Sequence, residues 1–170
     1  MIIDLNAFEG RSKNVELEIA PEGINLEADN ARLVGPVHLQ CDISRNGFQT
    51  TIAGKIEARY EVDCSRCLEP VNVSLPLDFQ IEFVDSEHFG SEGEHEIDPK
   101  NLSADSLASD QLDLNDVVRE QLLLNLPERL VCREDCKGLC EVCGTNRNAK
   151  DCNCNSEEVD PRWSALKNLK

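Results

Sequence analysis

Eight of the nine cysteines in this 170-residue chain fall into close pairs: Cys64 with Cys67, Cys132 with Cys136, Cys140 with Cys143, and Cys152 with Cys154. The opening stretch, MIIDLNAFEG, has no basic run followed by an apolar one, so it does not read as a secretory signal. The expected setting is therefore reducing and cytoplasmic. There, paired cysteines bind metal or do redox chemistry more often than they form disulfides. Eight thiols are what two tetrathiolate sites require, and zinc suits them because it is redox-inert and accepts four sulfurs in a tetrahedron. The expected cofactor is Zn2+, as one ion or two. Three partitions keep neighbouring pairs together. The favoured one joins Cys140, Cys143, Cys152 and Cys154, whose halves are separated by only eight residues. It leaves Cys64, Cys67, Cys132 and Cys136 to close a long loop. The interleaved partitions remain open. Gly144, directly after Cys143, suits a metal knuckle because it tolerates positive φ, whereas the same place after Cys67 holds Leu68.

The strongest signal for architecture lies between Val37 and Phe83. Val37, Leu39, Cys41 and Ile43 alternate with polar residues, which marks a strand with one buried face. Asn46-Gly47 then reads as a hairpin turn, pairing Cys41 with Ile52 and Val37 with Ile56. Ile52, Gly54, Ile56, Ala58, Tyr60 and Val62 share the inner face of the next strand, and Val71, Val73, Leu75, Leu77, Phe79, Ile81 and Phe83 that of a third. With Ser65 and Arg66 as the connecting loop, Tyr60 meets Val71, and Cys64 and Cys67 sit together at a hairpin tip. Val15, Leu17 and Ile19 mark a further short strand.

Residues 85–111 are acidic, hold Gly90, Gly93 and Pro99, and show weak periodicity, so they read as a mobile excursion rather than a second domain. A helix is expected over 112–126, capped by Asp113 and stopped by Pro127, with Leu114, Val117, Val118 and Leu122 facing inward. Asp160-Pro161 reads as the start of a short last helix through Trp163, whose indole packs beneath the cysteine module. The expected fold is α+β: an antiparallel β-meander with a covering helix (residues 1–127) and a C-terminal cysteine-rich zinc module (128–170), packed as one unit.

Charge divides the chain in the same place. Residues 128–170 hold eight basic and eight acidic residues, which leaves nine basic and 25 acidic residues, and the whole net charge of −16, to residues 1–127. So acidic a body repels phosphate backbones and suits a basic protein partner, and any RNA contact belongs to the neutral C-terminal part. Arg66, Arg133, Lys137 and Arg147 stand within or beside the cysteine clusters. They read as charge compensation for thiolates before they read as an RNA-contacting patch. Cys41 reads as a core hydrophobe and His38 as a surface histidine; His88 and His95 fall in the acidic excursion. No stretch approaches the 18 apolar residues of a membrane span. No carboxylate pair, Ser/His/Asp order or phosphate-binding loop argues for catalysis, so no catalytic residue is assigned. A thiol-based redox regulator and an RNA-processing enzyme are the alternative readings. Redox Cys-x-x-Cys pairs usually open a helix, whereas Cys64 belongs to a hairpin.

The motifs Cys64-Ser65-Arg66-Cys67-Leu68-Glu69, Leu122 to Pro127 (LLLNLP), Cys136-Lys137-Gly138-Leu139-Cys140, Cys143-Gly144-Thr145-Asn146 and Asp160-Pro161-Arg162-Trp163 together resemble the YceD family. Its members are described as large ribosomal RNA subunit accumulation proteins of bacteria and plant plastids. The resemblance runs from about Leu33 to Leu169. The acidic excursion is its least family-like part, and Arg147-Asn148 stands where the family pattern carries Leu-Asn. The resemblance implies a non-enzymatic factor in accumulation of the large-subunit ribosomal RNA. Its expected partners are a ribosomal precursor particle or a basic ribosomal protein.

Overall fold

The computed structural model describes residues 1–8, 10–87, 104–154 and Arg162. In chain order its elements are β1 (Ile2–Asp4), β2 (Ser12–Ile19), β3 (Ala31–Leu33), β4 (Val37–Asn46), β5 (Gln49–Asp63), β6 (Pro70–Asp85), β7 (Ala104–Leu107), β8 (Gln111–Asp113) and α1 (Leu114–Leu124). Six strands form one sheet in the order β2-β4-β5-β6-β7, with β3 paired to β5, and β1 pairs with β8 in a second small sheet. The chain divides into two compact units. One comprises Met1–Glu61 and Asn72–Pro127, the other Val62–Val71 and Glu128–Lys170.

In the first unit, alternation translates directly into burial. β4 buries Val37, Leu39, Cys41 and Ile43, and β5 buries Ile52, Ile56 and Tyr60. β2 runs antiparallel to β4, setting Val15 against Cys41 and Ile19 against Val37. Cys41 behaves as a core residue: burial pushes its thiol up to about 11. His38 is exposed, with Nδ1 3.6 Å from a Glu18 carboxylate oxygen.

Three local expectations need correction. The β4–β5 turn is Gly47-Phe48, flanked by the pair Asn46 and Gln49, so Cys41 faces Gly54 and Leu39 faces Ile56. Gly47 has φ +60 and Asn46 has no positive φ. That places glycine at the first turn position of a II′-type loop, whereas an Asn-Gly type I′ turn needs positive φ at both residues. The β5–β6 loop has four residues, not two, because the Cys64 N–H bonds to the Glu69 carbonyl at 2.9 Å. Finally, the sheet is not purely an antiparallel meander, because Ala104–Leu107 at the end of the acidic excursion lies parallel to Glu82–Asp85 of β6.

Leu112 belongs to β8, and α1 starts at Leu114 with Asp113 as its N-cap, the carboxylate accepting the Asn115 N–H at 2.9 Å. Leu114, Val117, Val118 and Leu122 are its buried residues, as expected. Asn125 ends it, donating Nδ2–H to the Gln121 carbonyl at 2.8 Å. Among the described residues no helix is long and apolar enough to cross a membrane. His88, His95, Trp163 and the expected last helix lie outside the described residues, apart from Arg162.

Arg45 fastens three ends of this unit. It is only 7% exposed and reaches Asp85 at 3.1 Å, Asp110 at 2.8 Å and the Gly47 carbonyl at 3.3 Å. The Asn6 side chain and the Arg45 guanidinium hold the Asp110 carboxyl below its usual pKa. A carboxyl depressed in the folded state adds stability that is present above its unfolded pKa of about 4 and is lost as pH falls through the folded value. Asp110→Asn is therefore expected to make the fall in melting temperature below about pH 4 shallower than in the wild type. An unchanged acid slope would count against this clasp.

Candidate metal centre

The second unit has no helix or paired strand among the described residues 128–154, only an isolated bridge between Leu139 and Asn146. It contains two groups of four thiols. Cys64, Cys67, Cys132 and Cys136 have sulfurs all within 4.8 Å of one another, and so do Cys140, Cys143, Cys152 and Cys154. Each group can hold a metal ion. This is the favoured partition of the eight cysteines.

Both groups are built on the same loop. In the first, the Cys64 N–H bonds to the Glu69 carbonyl at 2.9 Å, and the Leu68 N–H bonds back to the Cys64 carbonyl at 2.9 Å. In the second, the Cys140 N–H bonds to the Thr145 carbonyl at 2.8 Å, and the Gly144 N–H returns to the Cys140 carbonyl at 2.8 Å. The residue after the second cysteine is left-handed in both, Gly144 at φ +70 and Leu68 at φ +59. Leu68 thus takes the backbone form that its side chain disfavours by about 1–2 kcal/mol. Leu68 is 61% exposed, so little packing opposes its removal. After the entropy glycine loses, Leu68→Gly is expected to stabilise this unit by about 0.5–1 kcal/mol in a denaturant titration. A loss of stability would show that the Leu68 side chain makes a contribution its exposure does not reveal.

Sulfur spacing fits coordination rather than bridging. Cys64 Sγ lies 3.9 Å from Cys136 Sγ, and Cys67 Sγ lies 3.6 Å from Cys132 Sγ. A disulfide needs about 2.05 Å, whereas four sulfurs about 2.3 Å from one zinc ion are about 3.8 Å apart in a tetrahedron. All nine cysteines are free. Neither Cys-x-x-Cys loop opens a helix.

Hydrogen-bond donors surround the sulfurs. Cys64 Sγ accepts the N–H groups of Arg66 at 3.5 Å and Cys132 at 3.3 Å, and Cys136 Sγ accepts Asn148 Nδ2–H at 3.3 Å. Burial alone raises the Cys64 thiol, but the N–H groups of Arg66, Cys67 and Cys132 overcome it and bring it down to about 6. Asn148 holds Cys136 down. Burial and the Cys136 sulfur push Cys132 up to about 12. In the other group the Thr145 hydroxyl and N–H bring Cys143 down to about 6, and the nearby Cys143 sulfur drives Cys154 up to about 12. The remaining members divide the same way, with Cys140 lowered by the Cys143 and Val142 N–H groups and Cys152 raised by Cys140. Cys67 is raised: burial and the Cys64 sulfur outweigh the Glu69 N–H. Like charges this close resist full ionisation, and a divalent cation between the sulfurs removes that resistance.

Three of the four basic residues beside the cysteines, Arg66, Arg133 and Lys137, are tied within the unit. Arg66 donates to the Cys136 carbonyl at 2.9 Å, Arg133 lies 3.4 Å from Asp135, and Lys137 lies 3.9 Å from Asp151. Sequence reasoning passed over Glu69, Asn146 and Asn148, which hold the two loops together. Their only signal was position, polar residues directly beside or between ligand pairs.

The family model for "Large ribosomal RNA subunit accumulation protein YceD" matches residues 52–170. A maize protein named large ribosomal RNA subunit accumulation protein YCED homolog 1, chloroplastic, is 26% identical over 92% of this chain and 60% of its own length. Its Arabidopsis thaliana namesake is 24% identical over 79% of this chain and 49% of its own length. An uncharacterized protein of Mycobacterium tuberculosis is 31% identical over 68% of this chain and 53% of its own length. The chain thus spans about half to three fifths of the length of these relatives. No solved structure matches it. With the family pattern covering both cysteine groups, β6, β7 and nearly all of β5, the chain belongs to the YceD family.

Proposed function

We propose that this chain is a non-enzymatic factor supporting accumulation of the large ribosomal RNA subunit, and that it works as a binding adaptor whose cysteine module is held by two zinc ions. The observation that carries the first part is the family match across residues 52–170, together with the names of the maize and Arabidopsis relatives. The zinc reading is supported by two all-thiol groups whose measured sulfur separations, 3.9 and 3.6 Å in the first, suit one tetrahedral ion. Elemental analysis of the purified chain is expected to find two zinc atoms. A folded, active sample without metal would remove this part.

The division of labour follows charge. The body faces solvent with Glu18, His38 and Glu57 side by side across β2, β4 and β5, and with Asp42 farther along β4. Within 1–127, 25 acidic residues oppose nine basic ones, which favours a basic ribosomal protein. The module, balanced in its basic and acidic residues but carrying about −2 more for each zinc ion held by four thiolates, is still less acidic than the body and is the part better able to approach ribosomal RNA in a precursor particle. The setting is cytoplasmic. Mixing the zinc-loaded chain with ribosomal precursor particles in rising salt tests this: association is expected at low salt and release as ions screen the contact. No association at the lowest salt would sink the adaptor reading.

A further inference from the structure

The two cysteine groups are not equally exposed. Cys64, Cys67 and Cys136 are buried and Cys132 is half-buried, whereas Cys143 and Cys154 are exposed. The first group forms an inner site and the second an outer one. They are joined through one short segment, since Cys136 of the inner site and Cys140 of the outer site are separated only by Lys137-Gly138-Leu139.

The stretch from Gly144 to Asp151 links the two halves of the outer site; Gly144 and Thr145 bond to Cys140 of that site, whereas Asn146, Arg147 and Asn148 bond to the inner site and to the segment joining the two. Asn148 donates Nδ2–H to Cys136 Sγ at 3.3 Å and accepts the Lys137 N–H on Oδ1 at 2.8 Å. The Arg147 N–H bonds to the Gly138 carbonyl at 2.9 Å, and Asn146 Nδ2–H to the Glu69 carboxylate at 2.8 Å. Asn146 also fixes Asn148, its Oδ1 accepting the Asn148 N–H at 2.9 Å. From the other side, the Arg66 carbonyl accepts the Leu139 N–H at 3.0 Å. Gly138, at φ +71, is closely approached: a Cβ there would sit 3.0 Å from that carbonyl oxygen, and φ is in the left-handed range that favours glycine.

We propose that the two sites take up metal as a coupled pair, and that Asn148 is the positioning residue through which the outer site sets the inner site's hold on its ion. This rests on the zinc reading above. Metal at the outer site pins both ends of the 144–151 stretch, at Cys143 and Cys152. That places the Asn148 amide against Cys136 Sγ, where a donor to a ligand sulfur orients it and offsets its negative charge. Without outer metal the stretch is held at one end, and the donor is delivered less often. By linkage the coupling is reciprocal, so inner metal tightens the outer site by the same factor.

The test uses the full chain loaded with zinc and a competing chelator. Inner occupancy is read from protection of Cys64, Cys67 and Cys132 against alkylation, mapped by mass spectrometry. Asn148→Asp keeps an acceptor for the Lys137 N–H but replaces the donor to sulfur with a carboxylate oxygen and adds a negative charge, and Asn148→Ala, made in parallel, removes the donor without that charge. Each is expected to weaken inner zinc binding by about 10–100-fold while both ligand sets stay intact. Cys152→Ser/Cys154→Ser, which dismantles the outer site, is expected to weaken the inner site by a similar factor. Adding Asn148→Ala to that double variant should then weaken it little further, within about twofold, because the donor is delivered less often. Wild-type inner affinity in Asn148→Ala alone overturns the coupling. So does an Asn148→Ala effect of the same size with and without the outer site. If the double variant does not fold, the Asn148→Ala effect is compared with and without an intact outer site in the milder Cys154→Ser background. A wild-type chain that binds no zinc overturns the metal reading itself, a result distinct from two tight ions that bind independently.

Discussion

Removing metal with a strong chelator is expected to abolish hydrogen-exchange protection in residues 62–71 and 128–154. Among the described residues of this unit, little else can hold it together. Its buried apolar cluster consists of Cys64, Cys67 and Cys136, with Val71, Cys132 and Leu139 partly buried around them. Most of that list is the ligand sulfurs themselves. Units this small seldom bury enough surface to outweigh chain entropy without a staple, and a structural zinc ion supplies an apparent 10–16 kcal/mol or so near neutral pH. Beyond the Leu139–Asn146 bridge, a few hydrogen bonds span the unit, among them the Leu139 N–H to the Arg66 carbonyl at 3.0 Å and Arg66 to the Cys136 carbonyl at 2.9 Å, and at about 1 kcal/mol each they follow the metal rather than replace it. Cys136→Ser should act like the chelator on the inner site, since a hydroxyl is a poor zinc ligand beside three thiolates. Protection on β2 and β4, read in the same experiment, serves as the internal control. Unchanged protection of 128–154 after chelation, with zinc shown to be gone, would mean that the polypeptide alone specifies this unit.

Much of this arrangement was legible in the sequence, and for identifiable reasons. Period-two burial on β4, β5 and β6 is dictated by side-chain alternation, and the inward face of α1 by helical spacing together with the Asp113 cap. The short 144–151 loop favoured the observed grouping of the cysteines but left the interleaved groupings open. Register was harder. Sliding β5 by two residues past β4 leaves every apolar residue on the same face, so alternation cannot separate the expected pairing of Cys41 with Ile52 from the observed pairing with Gly54. Turn chemistry and steric fit decide it instead. Leu68 misled in another way. Its side chain argues against left-handed backbone, yet the Cys64–Glu69 and Leu68–Cys64 hydrogen bonds impose that form. The parallel pairing of Ala104–Leu107 with β6 left no signal, because four residues carry too little pattern. Asn148 was invisible for a different reason: its importance comes from a contact across the fold.

Gly54→Ala is expected to be the most damaging single substitution in the sheet. Built onto Gly54, a Cβ would lie against the Gln40 carbonyl oxygen and only 2.6 Å from Cys41 Cα and Cβ. None of these atoms is the end of a flexible side chain, so relief requires the backbones to separate. β4 cannot withdraw, because its other edge is paired with β2 from Ser44 to Val37. Overpacking a well-packed core typically costs about 1–3 kcal/mol. With backbone as the obstacle the upper end applies, which corresponds to a fall in melting temperature on the order of 10 °C for a chain of this size. Gly47→Ala provides the contrast. Gly47 has φ +60 but no atom within 4 Å of its would-be Cβ, so it bears only left-handed strain of about 1 kcal/mol. Gly54 has no positive φ and should tolerate alanine but for the crowding. If Gly54→Ala proves as mild as Gly47→Ala, Cys41 and Gly54 are not opposite each other. The pairing of Cys41 with Ile52 would then return, since it keeps the same faces without that close approach.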